Sequence, residues 1–223
     1  MAKTRGLTRS LAVRAAMLYA LLVVAVASAD HTGFSETLLA KISSKYGYNA
    51  ELRVRRWQDM IHENRDLPDR VKLELVNDFF NGALFVNDLA LWNKRDYWAT
   101  PVEFLAYDAG DCEDFSIAKY FTLREMGIDT RKLRITYVKA LTLNQAHMVL
   151  AYYETPSSIP IILDNINKSI RPATERSDLQ PVYSFNADDL WLARSRNEQL
   201  KAGKSSQINL WNNLNERMEK ELL

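Results

Sequence analysis

Apolar residues in the first half of the chain recur at helical intervals. Leu38, Leu39, Ile42 and Tyr46 share one face over 35–46, and Trp57, Met60 and Ile61 do so over 50–64. Pro68 opens a third predicted helix, 69–87, with Val71, Leu75, Phe79 and Val86 inward; Asn81-Gly82 weakens its later turns. Residues 88–111 have no clean period and hold Trp92, Trp98, Pro101 and Gly110, which reads as a structured loop. A further helix, 112–126, sets Phe115, Ala118 and Phe121 on one stripe with Ile117 beside them. Glu113 and Asp114 occupy its first turn, where the helix dipole favours acids, and Gly127 is its stop signal.

The period changes at residue 133. LRITYVK (133–139) alternates Leu133, Ile135 and Tyr137 with polar neighbours, AHMVLAYY (146–153) reads as a second strand, and Pro160 opens a third at 161–164. Residues 140–145 and 154–160 read as turns, and Val182–Phe185 as one more strand. Ser205 or Ser206 is placed to cap a last helix with Ile208, Trp211, Leu214, Met218 and Leu222 inward. Helices first and an antiparallel sheet after them make an α+β fold in one domain.

The N-terminus stands apart. Lys3, Arg5, Arg9 and Arg14 precede the apolar run 15–27, and Ala27-Ser28-Ala29 follows as a small-x-small site. Those three parts together read as a secretory signal peptide, 1–29, leaving a mature domain of 30–223. The apolar run is too short to span a hydrocarbon core of about 30 Å comfortably. Removing the four leader cations turns a formal charge of +1 into −3. That balance gives no support to a nucleic-acid partner, which would call for a basic excess. The single cysteine, Cys112, excludes an intramolecular disulfide and any zinc site built on several cysteines. Exported cysteines normally pair, so a lone one is either buried and inert or reactive.

Cys112 follows Gly110-Asp111 and opens a helix. Unpaired N–H groups and positive partial charge at a helix start favour a thiolate, the nucleophilic form, and an N–H there can donate to an oxyanion. A base is needed. His31 lies next to the mature N-terminus, His62 in a charged helical stretch, and His147 on a strand whose alternation groups it with Val149, Ala151 and Tyr153. Beside Cys112, His147 is the candidate. Asp164, closing Ile161-Ile162-Leu163, either orients His147 from an adjacent strand or begins a turn with Asn165.

The acids around Cys112 oppose a thiolate. Asp111, Glu113 and Asp114 lie within two residues of it, with Asp108 upstream, and negative charge raises a thiol pKa. Helix capping accounts for Asp111 and Glu113; a bound hard cation such as Ca²⁺ would neutralise the whole cluster. The twelve-residue EF-hand pattern is absent. Trp57, Trp92, Trp98 and Tyr107 read as core before cleft wall. Asn93, Asn144 and Gln145 are side-chain candidates for a second oxyanion donor, and nothing in the sequence ranks them.

The segments AYDAGDCEDFSIAKYFTLREMGI, NQAHMVLAYY and PIILDN, in that order, resemble the bacterial transglutaminase-like cysteine proteases, and within them the periplasmic LapG-type proteases that release giant surface adhesins. The resemblance implies a papain-like fold and a Cys-His-Asp triad on Cys112, His147 and Asp164. It implies calcium dependence, with ligands at Asp111 and Glu113 and, more weakly, Asp114 and Asp108. It implies a substrate, the N-terminal retention region of a large adhesin cut at a di-alanine-type site, so that cleavage sheds the adhesin and disperses biofilm. It also implies a partner, an inner-membrane cyclic-di-GMP receptor whose periplasmic domain sequesters the protease. Two rivals remain: a cell-wall amidase or transglutaminase, which Glu113-Asp114 disfavours because related peptidoglycan hydrolases often carry small residues there, and a non-enzymatic exported binding module with Cys112 buried.

Overall fold

The chain, represented by a computed structural model, is described over residues 34–195 and 198–221. The expected signal peptide, 1–29, lies outside the described residues, as do His31 and Leu222. Among the described residues three helices come first: α1 (Glu36–Tyr46), α2 (Tyr48–Glu63) and α3 (Asp69–Phe80). Strand β1 (Leu84–Phe85), helix α4 (Asp88–Trp92), helix α5 (Pro101–Tyr107) and strand β2 (Ala109–Gly110) then lead into helix α6 (Cys112–Glu125). The rest is strands β3 (Leu133–Ala140), β4 (Gln145–Tyr152), β5 (Ile161–Leu163), β6 (Arg171–Pro172), β7 (Leu179–Phe185), β8 (Asp189–Ser195) and β9 (Glu198–Lys204), and helix α7 (Asn209–Glu221).

The α+β expectation holds. The seven strands form one sheet in the order β6-β5-β4-β3-β7-β8-β9, every neighbour antiparallel. β4 lies inside this order, and all its residues from His147 to Tyr152 are buried. A strand covered on both faces reads as a continuous apolar run, which MVLAY is.

Helix α6 is the other buried element: every residue from Asp114 to Leu123 is shielded. Its polar side chains are satisfied. Ser116 Oγ donates to the Cys112 carbonyl, Thr122 Oγ1 accepts from Trp57 Nε1, and Lys119 Nζ donates to Asn77 and Asn81. Helix α7 closes the core, with Trp211 stacked on Phe121 and edge-on to Phe185.

Three expectations are corrected. The helix expected over 69–87 ends at Phe80, and Val86 follows a short strand. Its inward stripe is Leu73, Val76 and Phe80 with Lys72 and Asn77, while Val71 and Leu75 are exposed. The polar pair can be buried because Lys72 Nζ reaches the Met126 carbonyl at the end of α6, and Asn77 reaches Lys168 and Lys119. The supposed loop 88–111 contains α4, α5 and β2. Thr100-Pro101-Val102-Glu103 is a capping box with proline in the first turn, which starts α5 at once. Ser205 caps no helix; its hydroxyl donates to the Ala187 carbonyl.

Candidate active site

The approach to Cys112 is built by close contact. β2 pairs in parallel with β1, Leu84 with Ala109 and Phe85 with Gly110. Gly110 leaves no room for a side chain: a Cβ there would lie 2.7 Å from Asp114 Cβ and 2.8 Å from Phe104 Cδ2. Asp111 is the N-cap and Cys112 the first residue of α6. Asp114 reaches back, accepting the Asp111 N–H at 3.2 Å with one oxygen and the Ala99 N–H at 2.7 Å with the other. Its carboxylate thus joins the 97–100 segment to the start of α6.

The Cys112 thiol is half-buried and donates to Glu113 Oε2 at 3.0 Å. Burial pushes its pKa up, and the charge and hydrogen bond of Glu113 and the charge of Asp111 add to this. The backbone N–H of Met148, the residue after His147 on β4, acts the other way.

His147 and Asp164 meet as a diagonal pair. The β4–β5 register sets Leu150 opposite Leu163, so the residue after Leu163 comes opposite Val149, two along from His147 and on its face. His147 Nε2 lies 2.8 Å from Asp164 Oδ1, with both side chains almost wholly buried. Asp164 Oδ1 also accepts the Ile166 N–H at 3.0 Å, so the same oxygen serves the turn after β5 and the histidine ring. Arg176 Nη2 binds the other oxygen at 2.7 Å. Burial works to raise the Asp164 pKa, but the hydrogen bond and charge of His147, the Ile166 N–H and Arg176 outweigh it and hold the carboxyl far below its usual range. An ionised Asp164 accepts from Nε2–H, which leaves Nδ1 as the nitrogen able to take a proton.

The acidic cluster is larger than the sequence suggested. Asp111, Cys112 and Glu113 each offer an atom within 4.8 Å of the others; so do Asp88, Asp111 and Asp114, and so do Asp88, Asp96 and Glu113. Asp88, in the first turn of α4, and Asp96, in the following loop, were missed, because neither shows any local signal beyond being acidic. Buried Oδ1 atoms of Asp88 and Asp111 have no hydrogen-bond partner. Burial and the charge of Asp111 push Asp88 up to about 6; burial and Glu113 push Asp111 to about 8; burial and Asp111 raise Asp114 well above the carboxylate range. Crowded carboxylates with orphaned inward oxygens suit a hard divalent cation. Asp108 is exposed at the C-cap of α5 and belongs to none of these groups.

The remaining candidates separate cleanly. Trp57 and Trp98 are core, Trp98 stacking on Phe185, whereas Trp92 packs edge-on against half-exposed Tyr107 near the surface. Asn93, Asn144 and Gln145 are all exposed; the first two hold left-handed backbone positions in turns. His62 is exposed in the last turn of α2.

A family model, the bacterial transglutaminase-like cysteine proteinase (BTLCP), matches residues 48–186. The chain belongs to this family. The matched segment holds Cys112, His147, Asp164 and all five clustered acids. Among solved structures, EGTA-treated Legionella pneumophila LapG is 44% identical, with TM-score 0.73, covering 82% of this chain and 96% of that one. Calcium-bound Legionella pneumophila LapG is 43% identical, with TM-score 0.71, covering 81% and 97%. This BTLCP chain therefore shares the transglutaminase-like α+β fold of LapG and is a cysteine proteinase by family. No curated protein matched it.

Proposed function

We propose that this proteinase is an exported, calcium-dependent endopeptidase with the triad Cys112, His147 and Asp164. The observation that carries the reading is the buried His147–Asp164 pair, which leaves Nδ1 as the base for the one thiol of the chain. Nδ1 takes the Cys112 proton, the sulfur attacks a peptide carbonyl, and the imidazolium returns the proton to the leaving amine. Asp164 fixes the imidazole and offsets its charge. The Cys112 N–H, at the start of α6 where N–H groups have no intrahelical partner, is the oxyanion donor we assign.

Asp88, Asp111 and Glu113, with Asp96 and Asp114 at the margin, are the residues that would hold calcium. A divalent cation there would neutralise the acids that now raise the thiol pKa. The calcium-bound state of LapG supports calcium as the cation.

The substrate we propose is the N-terminal retention region of a large surface adhesin, cut at a di-alanine-type site, so that cleavage releases the adhesin and disperses biofilm. The partner is the periplasmic domain of an inner-membrane cyclic-di-GMP receptor, which sequesters the enzyme. Export rests on the leader at 1–29; among the described residues no helix is long and apolar enough to cross a membrane. The test is incubation of the mature protein with adhesin N-terminal regions, with calcium and with EGTA. Cleavage that needs calcium and is lost in Cys112→Ala is expected. Cleavage by Cys112→Ala would overturn the nucleophile, and release of peptidoglycan fragments instead would move the substrate to the cell wall.

A further inference from the structure

We infer that Arg176 is a positioning residue for this site: its guanidinium fixes the Asp164 carboxylate so that Oδ1 meets His147 Nε2. The inference rests on the catalytic reading of His147 and Asp164 given above.

Asp164 is gripped on two sides. Its carbonyl accepts from Asn81 Nδ2 at 2.9 Å and from Lys119 Nζ at 3.2 Å, which anchors the main chain to α3 and α6. Those bonds leave the carboxylate free to turn. Ile166 and His147 both use Oδ1, and Arg176 alone holds Oδ2 among the described residues. The guanidinium is itself immobilised: Nε and Nη2 fork onto Asp178 at 2.9 and 2.8 Å, and the backbone turns back at Ala173 before entering β7. A planar fork gripping two carboxylates sets an angle as well as a distance, which an ammonium cannot do.

Charge gives the same answer. The side chains of His147, Asp164 and Arg176 are 2%, 0% and 3% exposed. A carboxylate buried this deeply is costly unless an opposite charge stands beside it. Arg176 supplies a permanent countercharge. Asp164 therefore stays a carboxylate with Oδ1 turned to the ring, and the histidine keeps one tautomer. The sequence gives no hint of this residue, because it lies in the connection before β7, remote from all three family motifs.

Arg176→Met and Arg176→Lys variants of the protein test the inference. Four quantities are measured: kcat and KM on the adhesin fragment, the His147 ring N–H signal in nitrogen-edited NMR, and thermal melting. In Arg176→Met, kcat is expected to fall about 10²-fold while KM stays within about twofold, since a misoriented base harms the reacting geometry and not substrate binding. The His147 Nε2 proton signal should shift or vanish. Arg176→Lys should recover part of kcat through its charge. A folded Arg176→Met with wild-type kcat and an unchanged ring signal would overturn the inference. If Arg176→Met does not fold, Arg176→Lys decides: a reduced kcat with a shifted ring signal supports the inference, and wild-type values for both overturn it. If the wild-type protein cleaves no peptide, the protease reading has failed, and the ring signal still reports on Arg176.

Discussion

Cys112 donates its thiol proton to Glu113, the next residue in the chain, at 3.0 Å. The same carboxylate stands within 4.8 Å of oxygens from Asp88 and Asp96. Glu113 therefore faces the Cys112 thiol and the acidic cluster at once. Its neutralisation should have two opposite effects. In metal-free Glu113→Gln the thiol loses its nearest negative charge, so iodoacetamide labelling at pH 7 should speed up by about tenfold for each unit the pKa falls. Calcium affinity should drop in the same variant. Slower labelling would show that Glu113 does not suppress the thiolate.

Asp88 is the ligand candidate that the sequence did not reveal. One of its oxygens takes the Tyr97 N–H at 2.6 Å, and the other is buried without a partner. Asp88→Asn keeps the shape and the first contact but removes the charge. Calorimetric titration should show calcium binding weakened about 10- to 100-fold. Unchanged affinity would remove Asp88 from the site.

Gly110→Ala probes the packing that presents Cys112. The added methyl would lie 2.7 Å from both Asp114 Cβ and Oδ2, and Asp114 and Phe104 are both buried. The overpacking should cost about 1–3 kcal/mol. A differential scan should show melting lowered by several degrees, at roughly 2–4 °C per kcal/mol for a chain of this size. Melting equal to wild type would mean the turn relaxes freely.

The end of α7 carries a pH-dependent latch. Glu221 accepts from Thr100 Oγ1 at 2.8 Å, and burial raises its pKa from 4.5 to about 7. The folded protein thus holds this proton more tightly than the unfolded chain does. The stability it contributes is fully present below about pH 4.5 and is lost as pH rises through about 7. Chemical denaturation at pH 5 and pH 8 should therefore show Glu221→Gln gaining relative to wild type at pH 8. No gain at pH 8 would exclude the latch.

Much of the site was legible because its signals are local. A helix start shows itself in Gly110-Asp111-Cys112, and strand alternation puts His147 on a definite face, since both depend on neighbours a few residues away. The helical period located α1, α2 and α6, and period-two alternation located β3 and β4. The same logic failed on α3, where two stripes compete. Val71 and Leu75 are apolar but exposed, while Lys72 and Asn77 are buried because partners distant in sequence satisfy them. It also missed the β8–β9 hairpin at the sheet edge, where Leu192 and Leu200 are left half in solvent and the apolar pattern is thin.

By itself, then, the sequence determined which residues carry reactive groups and on which kind of element each sits. Only the tertiary structure decided their company. It brought Asp164 diagonally to His147 through the β4–β5 register, set Arg176 on the far oxygen, and drew Asp88 and Asp96 to Asp111 and Glu113. Hydrophobic periodicity is a property of neighbours along the chain, whereas a buried charge is stabilised by whatever partner the fold delivers to it through space.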